Sequence, residues 1–191
     1  VMLTLQEASR NKDIKAVLLD IDSTGGSPQA AVEIEEAIKA SGKPSVAWIR
    51  GYGASAAYWA ASAADTIIAS KESDIGSIGV TASYLDNAKQ NAQEGLTFNS
   101  ISTGKYKDAG SPDKSLTADE RAMLEKSNRI SLEHFIETIA TNRKLPIEKV
   151  RALADGSSWL GEEALSLGLI DKLGSYPEVL SFLREGLEEE P

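Results

Sequence analysis

Three apolar runs, separated by helical stripes and glycine-rich turns, occupy the first third of the chain. The run from Ile14 to Ile21 is mostly apolar instead of alternating, as in a strand buried on both faces. Gln29 to Ala40 then places Ala30, Ala31, Ile34, Ala37 and Ile38 on one helical stripe, which Ser41 to Pro44 stops. Ser45 to Ile49 predicts a second strand, Gly51-Tyr52-Gly53 a sharp bend, Ser55 to Ala64 a small-residue helix, and Asp65 to Ala69 a third strand. Strand–helix alternation of this kind predicts an α/β fold.

Farther on, Ile75 to Val80 is glycine-punctuated and irregular, Tyr84 to Glu94 reads as a helix, and Leu96 to Ile101 as extended chain. Thr103 to Lys114 is a polar loop. A long helix begins near Leu116, with Thr117 and Glu120 at capping-box spacing, and runs to about Asn142. Two shorter helices and a glycine-rich finish follow, then an acidic end from Glu185 that reads as solvated tail. With no repeat and no low-complexity linker, residues 1–191 read as a single domain. Val1 to Arg10 reads as a helix entered without a clear cap, and the chain is expected to be a fragment whose upstream membrane anchor has been removed.

Composition narrows the chemistry. The 29 acidic and 20 basic residues leave a net charge of −9, which disfavours a nucleic-acid partner because phosphate binding needs a basic face. There is no cysteine, hence no disulfide, thiol nucleophile or thiolate metal site. The one histidine, His134, falls inside the long helix beside Phe135 and Ile136, which suits a surface or half-buried helix position. A metal site is not expected, nor any cofactor, and a Ser-His-Asp triad has a single poor candidate.

Two small-residue turns carry the remaining signals. In the segment from Gly51 to Ala57, Ser55 lies between a strand and a helix among glycine and alanine. Small neighbours admit a substrate backbone, and free N–H groups at a helix start stabilise developing negative charge, as a nucleophile with an oxyanion hole requires. The same serine can equally be a helix cap. Gly25-Gly26, in the turn after the first strand, can expose the Gly26 N–H as a second oxyanion donor, or simply turn the chain. A serine nucleophile needs a proton acceptor, and lysine is the alternative to histidine. A lysine base requires its pKa to fall from about 10.4 toward about 7 or 8, roughly 4 kcal/mol of differential destabilisation from burial. Such a lysine wants neutral hydroxyl partners. Lys105 and Lys107 both lie in the loop from Thr103 to Pro112, and composition does not choose between them.

Taken in order, the segments Ile14–Ser27, Gly53–Trp59, Gly76–Val80 and Ser102–Asp108 resemble the signal peptide peptidase A family of the Clp-protease/crotonase superfamily. The resemblance extends through Ala154–Gly156 and Gly168–Asp171, close to the whole chain. It implies an α/β, Clp-protease/crotonase-like fold of stacked ββα units with a helical C-terminal region. It implies a serine endopeptidase with Ser55 as nucleophile and Lys107 as general base. Ser77 would hydrogen-bond the lysine amine, and the N–H groups of Gly26 and Ala56 would form the oxyanion hole. It further implies peptide substrates such as remnants of cleaved signal peptides, with small or apolar side chains near the scissile bond. The remaining implications are a homo-oligomer with active sites near subunit interfaces, and a cell-membrane location with the catalytic part on the extracytoplasmic side.

Two departures from the family pattern stand out. Ser23-Thr24-Gly25-Gly26 has threonine where the family has proline, and Ser55-Ala56-Ala57 has alanines where it has glycines. The first loosens a turn and the second adds two methyl groups beside the nucleophile; neither removes a catalytic group. The competing readings are a stomatin-associated Ser/Lys protease of the same fold, a crotonase-type acyl-CoA enzyme that gives Ser55 no task, and an inactive scaffold.

Overall fold

The computed structural model describes residues 1–188, so the last three residues of the acidic end lie outside the described residues. In chain order the elements are α1 (Met2–Arg10), β1 (Val17–Ser23), α2 (Pro28–Ser41), β2 (Ser45–Ala54), α3 (Ala56–Ser62), β3 (Thr66–Ala69) and β4 (Asp74–Gly76). There follow α4 (Ala88–Gln93), α5 (Ala118–Asn142), α6 (Ile147–Leu153), β5 (Ser158–Leu160), α7 (Gly161–Leu167), β6 (Lys172–Leu173) and α8 (Tyr176–Glu188). They form two compact units, one of Val1–Gly79 with Leu132–Pro191 and one of Val80–Ser131.

The first unit holds a six-stranded sheet organised on β2, which pairs in parallel with β1, β3 and β4. β3 pairs in parallel with β6, and β4 is antiparallel to β5. The α/β architecture with a helical C-terminal region is the one the sequence implies. Side chains along β2 divide between two layers, as the period of a strand requires. Ala47 and Ile49 join Ile67, Tyr58, Trp59, Phe135, Ile136 and Ile139 in the main core. Val46 and Trp48 face the other way, with Ile68, Val179, Phe182 and Leu183.

Several sequence expectations change in this unit. β2 does not end at Gly51–Gly53 but continues to Ala54, and the expected bend takes the form of a register shift, with Ile21 opposite Ile49 and Ser23 opposite Gly53. Both glycines there make room: a Cβ on Gly53 would lie 2.6 Å from Ile49, and one on Gly51 would lie 2.6 Å from an Asp22 carboxylate oxygen. That carboxylate accepts the Tyr52 N–H at 3.0 Å. The glycine-rich finish contains a further helix, α8. Glu178 opens it with one half of a capping box, its carboxylate accepting from the Ser175 N–H at 2.7 Å and from the Ser175 hydroxyl at 2.6 Å. The chain from Glu185 to Glu188 therefore ends a helix and is not yet tail. His134 is an exposed residue of α5, as expected.

The second unit is built differently. Its helix α4 is shorter than the sequence suggests, and Leu96–Ile101 forms no strand. Short segments persist only where tertiary packing supports them, and Leu85, Leu96, Phe98 and Ile101 are all exposed. The expected capping box at the head of α5 is present: Thr117 N–H donates to Glu120 at 2.9 Å, and Glu120 N–H donates to the Thr117 hydroxyl at 3.2 Å. Glu120 also pairs with Lys114 at 2.5 Å and is the one buried residue of this unit. Lys114 first, then the Thr117 N–H, hold its carboxyl down to about 2. A folded-state pKa depressed in this way gives stability that is present above the ordinary carboxyl value and lost as pH falls through the folded one. After correction for the intrinsic exchange rate, protection of the amides at the start of α5 is therefore expected to fall between pH 4.5 and about 2. Glu120→Gln is expected to remove that acid dependence; acid dependence unchanged in the variant would overturn the assignment.

Candidate active site

The carboxyl end of β2 brings the two sequence-selected serines together. Ala54 is in register with Gly76 across the parallel β2–β4 pair, so Ser55 and Ser77 each follow directly on a paired residue. The Ser55 N–H donates to the Gly76 carbonyl at 2.7 Å, and the Ser77 N–H donates to the Ser157 carbonyl at 2.8 Å. Both serines adopt positive φ, 53° and 48°. Ser55 combines this with ψ −128° at the point where β2 passes into α3. L-residues rarely adopt such backbone, at a cost of about 1–3 kcal/mol each, and it persists where surrounding structure over-determines it. A strained strand-to-helix turn puts a side-chain hydroxyl at its apex.

The surroundings supply that over-determination. Trp59, one turn into α3, donates its backbone N–H to the Ser55 carbonyl at 3.0 Å. Its ring stacks on Phe135 with centroids 4.8 Å apart, and its indole N–H donates to Glu35 at 2.6 Å. Burial raises the Glu35 pKa, but donors from Lys39, Trp59 and Asn142 outweigh burial and keep its carboxyl below the usual range. Truncating a buried ring such as Phe135 costs about 3–5 kcal/mol, so this stack is a firm anchor for the helix that begins beside Ser55.

The Gly25-Gly26 turn closes over the same point. Gly25 has φ 119° and Gly26 φ 150°, both in glycine territory. The Gly25 N–H donates to the Ser23 hydroxyl at 3.2 Å. A Cβ on Gly25 would lie 2.8 Å from the Ser55 Cβ and 3.2 Å from the Ala56 nitrogen, whereas one on Gly26 would meet nothing within 4 Å. The N–H groups of Gly26 and Ala56 have no acceptor among the described residues. Beside the turn lies a cavity of about 570 Å³, lined by Leu5, Leu19, Ile21, Ala31, Ile34 and Ala57 among others. Gly25→Ala is expected to abolish any chemistry at Ser55 and to destabilise the fold by about 1–3 kcal/mol, with Gly26→Ala milder on both counts. Thermal melts and active-site labelling check this, and equal effects of the two variants would contradict it.

The lysines belong to the second unit. Lys105 pairs with Asp119, which raises its pKa and holds it as an ammonium ion. Lys107 is exposed in a run of turns, its N–H donating to the Gly104 carbonyl at 3.2 Å. Its side chain makes no ion pair among the described residues. The burial and hydroxyl contact that a lysine base needs are thus not provided around Lys107. Among the described residues no group of histidines and carboxylates could hold a metal ion, and no helix is long and apolar enough to cross a membrane.

Residues 37–189 match the family described as Peptidase family S49. The chain belongs to peptidase family S49. The chloroplastic serine protease SPPA of Arabidopsis thaliana is 32% identical over 95% of this S49 chain and 27% of its own length. Protease 4 of Salmonella typhi is 31% identical over 93% of the chain and 29% of its own length. A protease-designated protein of Methanocaldococcus jannaschii is 34% identical over 95% of the chain and 59% of its own length. The S49 chain thus spans less than two thirds of each of these relatives. Its fold matches that of a solved membrane-bound stomatin-specific protease with a TM-score of 0.62 at 18% identity, covering 95% of this chain and 78% of that one.

Two parts of this candidate site have no counterpart in the sequence reading of catalytic residues. The Glu35–Trp59 anchor joins helices distant in sequence and leaves no local pattern. Ala154–Gly156 enters the sequence reading only through its resemblance, while the turn Asp155-Gly156-Ser157 that meets Ser77 carries a local signal, an aspartate two residues before a donor.

Proposed function

We propose that this chain is the catalytic part of a serine endopeptidase in which Ser55 attacks the scissile carbonyl and Lys107 is the general base. The observation that carries the reading is the pair of left-handed serines on adjacent strand ends, Ser55 bonded directly to Gly76 and Ser77 following it. In the reaction, Ser55 Oγ bonds to the carbonyl carbon as its proton passes to Lys107 Nζ. The resulting oxyanion lies against the N–H groups of Gly26 and Ala56, and Ser77 Oγ orients the lysine amine. Collapse transfers the proton to the leaving amine, and water then hydrolyses the acyl-enzyme with Lys107 accepting its proton.

Lys107 suits this role over Lys105 because it makes no ion pair among the described residues, whereas Lys105 is tied to Asp119. It must lose contact with water to act, and the surface that covers it is supplied by a second copy in a homo-oligomer, with active sites near subunit interfaces. Substrates are peptides with small or apolar side chains, such as remnants of cleaved signal peptides. The apolar lining of the cavity beside Gly25 favours them, and β1, which among the described residues pairs only with β2, leaves an edge for an extended peptide. The domain works at the cell membrane, on its extracytoplasmic side, through an anchor elsewhere in the protein. Residues 1–191 act together as one peptidase domain.

A fluorophosphonate probe tests the reading. Labelling mapped to Ser55 supports it. Absence of labelling together with tight binding of coenzyme A thioesters would replace it with the acyl-CoA reading.

A further inference from the structure

We infer that the exposed turn Asp155-Gly156-Ser157 positions Ser77 and, through it, Ser55, with Asp155 as the positioning residue that holds the turn. The inference rests on the roles proposed above for the two serines. A continuous path of short hydrogen bonds leads from the turn to the candidate nucleophile. The Ser157 N–H donates to Asp155 Oδ1 at 2.8 Å. The Ser157 carbonyl accepts from the Ser77 N–H at 2.8 Å, and the neighbouring Gly76 carbonyl accepts from the Ser55 N–H at 2.7 Å. A second rung fixes the register, Gly156 N–H donating to the Ile78 carbonyl at 3.1 Å.

Close packing leaves this ladder no slack. A Cβ on Gly76 would lie 2.7 Å from the Trp159 ring, and one on Gly79 would lie 3.2 Å from the Gly156 Cα. The turn thus grips Gly76-Ser77-Ile78-Gly79 on both sides of the strained serine. Ser77 holds its positive φ because partners on β5 and the preceding turn fix the peptide groups around it. Asp155, Gly156 and Ser157 are themselves exposed. No core packing calls for an acid at Asp155, so its carboxylate has the turn as its one structural task. An isolated Asx turn that merely ended β5 would affect only its own loop when broken.

The test compares Asp155→Ala and Asp155→Asn with the wild-type chain by amide hydrogen exchange and by fluorophosphonate labelling rate. Asp155→Ala is expected to speed exchange at the Ser77 and Ser55 amides and to slow labelling by about tenfold, the factor set by about one hydrogen bond to a charged acceptor. Asp155→Asn retains the accepting oxygen and is expected to restore both. In a Ser77→Ala background, which keeps every backbone bond of the path, Asp155→Ala is expected still to speed exchange at the Ser55 amide. Unchanged exchange at Ser77, failure of Asp155→Asn to rescue, or loss of the exchange effect at Ser55 in the Ser77→Ala background would each overturn the inference. If the wild-type chain does not label at Ser55, the proposed dyad falls, and the exchange pattern still decides whether Asp155 positions the serines.

Discussion

Ser55→Ala is expected to lower peptide hydrolysis by at least about 10⁴-fold, because no second nucleophile shares the turn at the end of β2. The thermal midpoint should barely move, since alanine keeps the same left-handed strain. Ser55→Gly separates the two effects. It is equally inactive, but it relieves backbone strain of about 1–3 kcal/mol against a loss of about 1 kcal/mol from the freer unfolded chain. The net gain of about 1 kcal/mol corresponds to a midpoint about 2–4 °C higher than that of Ser55→Ala. Calorimetry and active-site titration of the two variants measure this. Retained turnover in Ser55→Ala would end the nucleophile assignment, and a lower melt for Ser55→Gly would show that the conformation at φ 53° is not strained.

Lys107→Ala is the second large effect, a loss of about 10²–10⁴-fold in labelling rate and turnover, the usual contribution of a positioned general base. Lys107→Arg should be nearly as damaging, because guanidinium does not release its proton near neutral pH. Lys105→Ala should stay within a few-fold of wild type, since Lys105 serves as partner to Asp119. Single-turnover labelling of the three variants discriminates sharply. An inactive Lys105→Ala beside an active Lys107→Ala would move the base two residues. Because Lys107 is exposed in the single chain, the rate is further expected to rise with protein concentration over the range in which copies associate, as followed by light scattering.

Local signals carried much of this architecture. The apolar run that became β1, the stripe of α2 and the Thr117–Glu120 cap could all be read from neighbouring residues, although β1 is not buried on both faces as its composition suggests, Val17 being its one buried residue. Ser55 stood out through its small neighbours. What escaped reading depends on contacts distant in sequence. Gly51 reads only as a turn residue until Asp22, on the neighbouring strand, is seen filling the place of its Cβ. Ser77 is one more serine among glycines until β4 aligns with the end of β2. The choice of Lys107 came from resemblance; the Asp119 pairing of Lys105 supplies an independent physical reason for it.

The second unit, with Glu120 its one buried residue and Leu85, Phe98 and Ile101 in water, has a thermodynamic consequence. Little apolar surface is withdrawn from solvent there, so its loosening carries a small heat-capacity change and a flat temperature dependence. Ionic strength and acidity, acting on pairs such as Lys114–Glu120, govern its order more than warming or cooling does. The loop that holds the proposed base is accordingly tuned by the ionic conditions around the protein, and changes of salt should alter turnover at temperatures where the sheet is untouched.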